Sequence, residues 1–242
     1  MVVLQLDDGL AVVTIDRPHA RNAIALATMD ELEKAIDGAA GARALVITGA
    51  GDRAFVSGGD LKELSAIRTV EAASAMAWRM RGICDQLANF PAPVIAAVNG
   101  HAFGGGAEVA VAADIRVAAD DITIGFNQVN LAIMPAWGGA ERLATLVGRG
   151  RALLLAGTGT VLDAAEAERV GLLDVVLPRA DFENGWRTLA RSLATVPAGE
   201  IKRVTSGGAS AEAAVQAFAQ LWVSDAHWDA ADRVLKRAKG RD

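Results

Sequence analysis

The stretch Asn99-Gly100-His101-Ala102-Phe103-Gly104-Gly105-Gly106-Ala107-Glu108, entered from the apolar run Val94 to Val98, constrains this chain more than any other. Three consecutive glycines after a buried strand let main-chain N–H groups face a ligand without side chains in the way. A helix over Ala107 to Ala112 would put its positive end beside those groups, which is a site for an oxyanion. Glu108 would then stand next to the oxyanion, its carboxyl favoured in ionised form by the helix start and disfavoured by its Ala and Val surroundings. A close helix-on-strand contact with an ordinary first-turn charge fits the same residues, because a lone glycine motif is weak.

The rest of the chain sets limits on function. With 242 residues, 52% hydrophobic and 22% charged, it can bury a large core as one domain or as one domain with a helical extension. A net charge of −5 without runs of Lys or Arg points away from nucleic acid and from membrane surfaces. The single cysteine, Cys84, excludes an internal disulfide and a cysteine-based metal site, and the scattered His19, His101 and His227 give no metal cluster. Met1 to Asp8 shows no basic start followed by an apolar core, and no apolar run approaches membrane-spanning length, so the expected location is the cytoplasm.

Strand and helix patterns alternate along the first three quarters, without a convincing fixed-period repeat. Val2 to Leu6 and Leu10 to Ile15 read as a hairpin, Thr28 with Glu31 as the capping box of a helix, and Ala44 to Thr48 as a buried strand. Val70 to Leu87 keeps one apolar helical face, read as ordinary core. Ile115 to Ala118 and Ile122 to Ile124 read as strands, Asn127 to Asn130 as a polar loop, and Gly138-Gly139 as a helix start. Asp163 with Glu166 reads as a second capping box, Gly171 as the stop of that helix, and Leu173 to Leu177 as a late strand. From Asp181 on, helical pattern dominates, with Val215, Phe218, Leu221 and Trp222 on one face and a basic end at Arg233, Lys236, Arg237, Lys239 and Arg241.

A second glycine loop, Ser57-Gly58-Gly59-Asp60, also follows a buried strand, and Asp60 can cap a segment beginning at Leu61. Two such loops converging on one oxygen would make an oxyanion hole for a thioester enolate or a tetrahedral intermediate. With these residues the chain resembles the crotonase, or enoyl-CoA hydratase/isomerase, superfamily over nearly its whole length. The matches run in order: Arg17-Pro18 with Asn22-Ala23, Phe55 to Leu61, Asn99 to Glu108, Pro135 with Gly138-Gly139 and Arg142-Leu143, and Leu162 to Leu172.

The resemblance implies an α/β fold, a crotonase-like spiral of ββα units over residues 1–180 that binds acyl-CoA, followed at 181–242 by a C-terminal helical trimerisation region. It implies a homotrimer or a hexamer built as a dimer of trimers, an acyl-CoA thioester substrate, and no cofactor beyond the coenzyme A carried by the substrate. By position, the N–H groups of Gly59 and Gly105 would hold the thioester oxygen, and Glu108 falls on the family's first catalytic glutamate. Arg21, Ala23, Arg53, Ser57, Asp60 and Leu61 fall in the substrate and CoA-binding segments, with Arg21 and Arg53 either CoA-phosphate contacts or solvated surface arginines. The second glutamate of the hydratases falls on Gln128, whose amide holds a water or substrate but exchanges no proton near neutral pH. From the resemblance, hydration of the 2,3 double bond through an enolate is the leading reading, with Glu108 as base and acid in turn and Gln128 positioning water. Another enolate reaction (isomerisation, thioester hydrolysis or decarboxylation) and a catalytically weak acyl-CoA-binding homologue stand beside it. Ser57, His101 and Asp60 lack the glycine–serine elbow of a hydrolase triad, and the spacing of Gly100 to Gly106 does not fit a dinucleotide fold. Trp137 reads either as a pocket wall or as packing.

Overall fold

The computed structural model describes residues 1 to 239. Arg241 of the expected basic end lies outside the described residues. The chain divides into two compact units, Met1–Ala194 and a second from Thr195 onward.

The first unit opens with the expected antiparallel hairpin, β1 (Val2–Asp7) and β2 (Leu10–Ile15), then helix α1 (Leu26–Gly38). From β3 (Ala44–Gly49) the chain winds as a spiral. Each turn lays one strand in a large sheet, the next in a small sheet, and then forms helix. The first turn is β3, β4 (Ala54–Val56) and the helices α2 (Leu61–Leu64) and α3 (Val70–Ala88); the second is β5 (Val94–Val98), β6 (His101–Phe103) and α4 (Gly105–Ala110). The third is β7 (Ile115–Ala119) and β8 (Thr123–Gly125), a 3-10 turn over Asn127–Leu131, and the helices α5 (Gly139–Val147) and α6 (Arg149–Thr158). The unit closes with β9 (Val161–Asp163), α7 (Ala164–Arg169), β10 (Val175–Leu177) and α8 (Phe182–Leu193). Among the described residues the sheets run β1-β2-β3-β5-β7-β10 and β4-β6-β8-β9. Strands β2, β3, β5, β7 and β10 are mutually parallel, which is why β3 and β5 are buried along their whole length.

This is the expected ββα spiral, and the alternation between two sheets accounts for the lack of a clean sequence period. The small-sheet strands are only three residues long, so they carry little periodic signal. His101 to Phe103, read as turn, is accordingly strand β6, and α4 begins at Gly105 rather than at Ala107. Thr28 is not the cap of α1 but its third helical residue: the cap is Ala25, whose N–H donates to the Thr28 hydroxyl at 3.3 Å. Asp163 does cap α7, accepting from the Glu166 N–H at 2.8 Å. The 3-10 turn replaces the expected loop at Asn127, and the late strand is shorter than expected, starting at Val175.

Two buried asparagines fasten the corner between β3 and β4, which carries the first glycine loop. Asn99 Oδ1 accepts from the Gly49 N–H at 3.0 Å and from the Thr48 hydroxyl at 3.2 Å, while Asn22 Nδ2 donates to the Ala54 carbonyl at 2.7 Å. On the far side, fully buried Arg116 ties β7 to the segment before β10. Its guanidinium pairs with Asp174 at 2.5 Å and donates to the Leu172 carbonyl at 3.0 Å. Arg116→Ala is expected to cost about 3 kcal/mol in denaturant unfolding, the lower end for a broken buried pair because Asp174 keeps some water. A loss below roughly 1 kcal/mol would mean the pair is dispensable.

Helix α8 belongs to the first unit, not to a C-terminal extension beginning at 181. Phe182, Trp186 and Ala190 recur on one face and are buried, and the helix packs on β3 and β7. The second unit holds α9 (Val196–Thr205), α10 (Ala211–Trp222) and α11 (Asp225–Lys239). On α10, Val215, Phe218 and Trp222 are 67%, 60% and 46% exposed, so most of the face expected to be apolar meets solvent in the single chain.

Candidate active site

Successive turns of the spiral bring the two glycine loops together, which spacing in the sequence could not show. A Cβ placed on Gly58 (φ +107°) would lie 3.6 Å from the Gly105 nitrogen. Gly59 bridges Ile24 through its neighbours: Ile24 N–H donates to the Gly58 carbonyl and Asp60 N–H to the Ile24 carbonyl, both at 2.8 Å. In a parallel bridge of that kind the N–H of the central residue points to the opposite side. Gly105, the first residue of α4, likewise has an N–H without an intrahelical acceptor. Both glycines line a cavity of about 560 Å³.

Glu108 lies in the first turn of α4 and is 2% exposed. Its Oε2 accepts from the backbone N–H groups of Trp137 at 2.7 Å and Gly139 at 3.0 Å, and its Oε1 accepts from Gln128 Nε2 at 2.9 Å. Burial pushes its pKa above the ordinary carboxyl value, against the pull of the N–H groups of Gly139 and Trp137 and the Gln128 amide. Because Gln128 turns its NH₂ to the carboxylate, its own Oε1 faces elsewhere, buried and without a hydrogen-bond partner among the described residues. The close packing here depends on missing side chains. A Cβ on Gly139 would fall 2.3 Å from Glu108 Cγ, so the turn amides can reach the carboxylate only across a glycine.

Ser57, Gly59, Leu61, Gly105, Glu108 and Gln128 all meet at this inner cavity, and Ser57, Gly59 and Leu61 also line an outer cavity of about 460 Å³ with Arg21, Ala23 and Asp60. Arg53 stands apart from both, lining a smaller hollow of about 160 Å³ that Arg21 shares. Asp60 is engaged within the protein: it pairs with Arg17 at 3.0 Å and caps α2 through the Glu63 N–H. Burial works to raise its pKa, but Arg17 and the helix N–H groups outweigh it and hold the carboxyl low. The triad is not assembled, since Asp60 takes Arg17 while exposed His101 accepts from the Thr123 N–H at 3.0 Å.

Several site features went unread in the sequence. The N–H groups of Trp137 and Gly139 hold Glu108, although Gly138-Gly139 reads only as a helix start. Trp137 is both wall and packing, lining the cavity while its indole lies over Gly105. On α3 the face read as core is divided: Met80, Ile83, Cys84 and Leu87 are buried, whereas Ala73 and Met76 wall the cavity with Leu64 and Ile67. Helical periodicity does not separate a core from a cavity wall, because both are apolar. Among the described residues no group of three or more His, Cys, Asp or Glu could hold a metal ion, and no helix is long and apolar enough to cross a membrane.

Strands alternating between two sheets, with helices closing each turn of the spiral, is the architecture of the crotonase class. Within that class the chain belongs to the enoyl-CoA hydratase/isomerase family, whose model matches residues 5–221. It is 37% identical over 200 residues to the short-chain-enoyl-CoA hydratase of Clostridium acetobutylicum, covering 79% of this chain and 74% of that one. To the crotonyl-CoA hydratase of Syntrophomonas wolfei it is 38% identical over 181 residues, covering 73% and 68%. Among solved structures, the enoyl-CoA hydratase of Bacillus anthracis superposes with a TM-score of 0.84 at 30% identity, covering 99% of this chain and 96% of that one.

Proposed function

We propose that this protein adds water across the 2,3 double bond of an enoyl-CoA, with Glu108 as the single acid–base group. The observation that carries the reading is the Glu108–Gln128 pair, set in one cavity with Gly59 and Gly105. The thioester oxygen is held by the N–H groups of Gly59 and Gly105, each worth about 3 kcal/mol of barrier. A water donates one hydrogen to Glu108, whose Oε1 is held by Gln128 Nε2 at 2.9 Å. The water oxygen bonds to Cβ as Glu108 takes a proton, and the electron pair of the double bond moves to the thioester oxygen. Glu108 then returns that proton to Cα, the enolate collapses, and the net change is addition of one water. Arg21 at the shared edge of the outer cavity and the smaller hollow, with Arg53 beyond it, supports a path for the CoA phosphates. The exposed apolar face of α10 supports self-assembly as a trimer or a pair of trimers, which light scattering of the purified protein reads directly.

Loss of the conjugated thioester absorbance with crotonyl-CoA, together with product analysis, tests the reading. Turnover to 3-hydroxybutyryl-CoA is expected, and a shifted double bond, free CoA or loss of CO₂ from a suitable acyl-CoA would replace it with another enolate reaction. Gln128→Leu is expected to lower kcat at least about tenfold by removing the donor that orients the Glu108 carboxylate. Gln128→Glu sets two carboxyls about as close as the present 2.9 Å contact, so one of them keeps its proton to higher pH. The acidic limb of the pH–rate profile should move upward in that variant, and an unmoved limb would show that residue 128 does not act on Glu108.

A further inference from the structure

The turn that holds Glu108 is itself held from behind. Arg142, on the first turns of α5, donates from Nη1 to the Trp137 carbonyl at 3.2 Å and from Nη2 to Asp85 Oδ1 of α3 at 2.5 Å. Nη1 lies where a Cβ on Gly138 would come within 2.3 Å of it, so the guanidinium reaches the turn only beside a glycine, at its left-handed residue, φ +87°. The Trp137–Gly139 segment thus has Glu108 on its N–H side and the guanidinium on its carbonyl side. Asp85 is the anchor that keeps the fork aimed, and Arg81, bonded to Glu141 at 2.8 Å, ties the same two helices beside it.

We propose that Arg142, anchored by Asp85, is a positioning residue that holds the Trp137–Gly139 turn in the orientation in which its amides meet Glu108. The proposal rests on the reading of Glu108 as the acid–base group. Without the fork the turn can rotate its N–H groups away, and a carboxylate that loses two donors in a buried site becomes a weaker acid. The other ionisable groups around α4 are few. Helix α3 brings Arg81, Cys84 and Asp85; α5 brings Glu141 and Arg142; β6 brings only the exposed His101; β4 and β5 bring none. Cys84 is fully buried and its thiol is pushed up to about 12, so it stays neutral through the working range.

Direct charge effects and the positioning role differ in sign at Asp85. Removing that negative charge makes Glu108 easier to ionise if charge alone matters, but harder to ionise if Asp85 acts by aiming Arg142. The test is the titration of Glu108 in the free protein, read by carbon-13 NMR of glutamate side-chain carboxyls and assigned by the resonance lost in Glu108→Gln. The midpoint is expected to rise by about one pH unit in Arg142→Ala, to rise also in Asp85→Asn, and to rise less in Arg142→Lys, which keeps the charge but not the two-pronged geometry. An unmoved midpoint, or a fall in Asp85→Asn, overturns the proposal. If Arg142→Ala does not fold, Asp85→Asn and Arg142→Lys decide alone. Because the NMR reading needs no turnover, a protein that titrates as expected yet hydrates nothing would keep the positioning role and overturn the hydratase reading. Where hydration is measurable, the acidic limb of kcat/KM follows the same shift while KM changes less than about threefold.

Discussion

Glu108→Gln is expected to lower hydration at least about 10³-fold while acyl-CoA affinity stays within a few-fold. The amide is nearly the same shape as the carboxyl, can still accept from the N–H groups of Trp137 and Gly139, and can donate to Gln128 once that amide reverses. The main-chain donors and the contact to residue 128 stay paired, so the loss belongs to proton transfer and not to collapse of the site. The same variant should be more stable than the wild type near neutral pH. Burial raises the folded-state pKa of Glu108, so the folded protein holds that proton to higher pH than the unfolded chain does. The associated stability is complete below the unfolded carboxyl pKa and is lost as pH rises through the folded value. An amide does not titrate, so the gap in Tm between Glu108→Gln and wild type should widen from pH 4 to pH 7.5. A variant that keeps more than a tenth of wild-type activity would remove Glu108 from the mechanism, and a gap that narrows toward neutral would mean the carboxylate is better solvated than its surroundings indicate.

The second large effect is expected at Gly105. A Cβ there would stand 2.1 Å from Cζ3 and 2.4 Å from Cη2 of the indole of Trp137, a residue only 7% exposed. Gly105→Ala therefore displaces either the start of α4, which carries the oxyanion N–H, or the indole and with it the turn that holds Glu108. Activity is expected to fall about 10²-fold or more and stability by about 1–3 kcal/mol. Adding Trp137→Leu relieves the contact and should restore stability and part of the activity. Near-normal turnover in Gly105→Ala alone would show that the thioester oxygen is not held at this helix start.

Much of this architecture is legible in the sequence where one short segment contains its own cause. β3 and β5 are unbroken apolar runs, the hairpin is marked by Asp7-Asp8-Gly9, and Asp60 and Asp163 announce their helices because a cap needs only its next three residues. The same locality misleads at Thr28, where the hydroxyl three residues inside α1 looks like its beginning. It also fails for β6, too short and too glycine-bound to show a period, and for α8, whose amphipathic face is equally suited to packing on the sheet or on another helix. Nothing along the chain says which.

By itself the sequence determined the alternation of strand and helix units and the glycine loops that leave backbone amides bare beside Glu108, while the spiral and the place of Gln128 came only as what the family resemblance implies. The alternation and the loops are properties of residue type and near-neighbour order. Only the tertiary structure decided that glycine loops more than forty residues apart pack against each other, that Gln128 reaches Glu108, and that Trp137 and Gly139 supply the donors opposing its burial. The reason is physical: the protonation of Glu108 depends on its desolvation and on who donates to it, and both are sums over groups that the spiral brings together from distant parts of the chain.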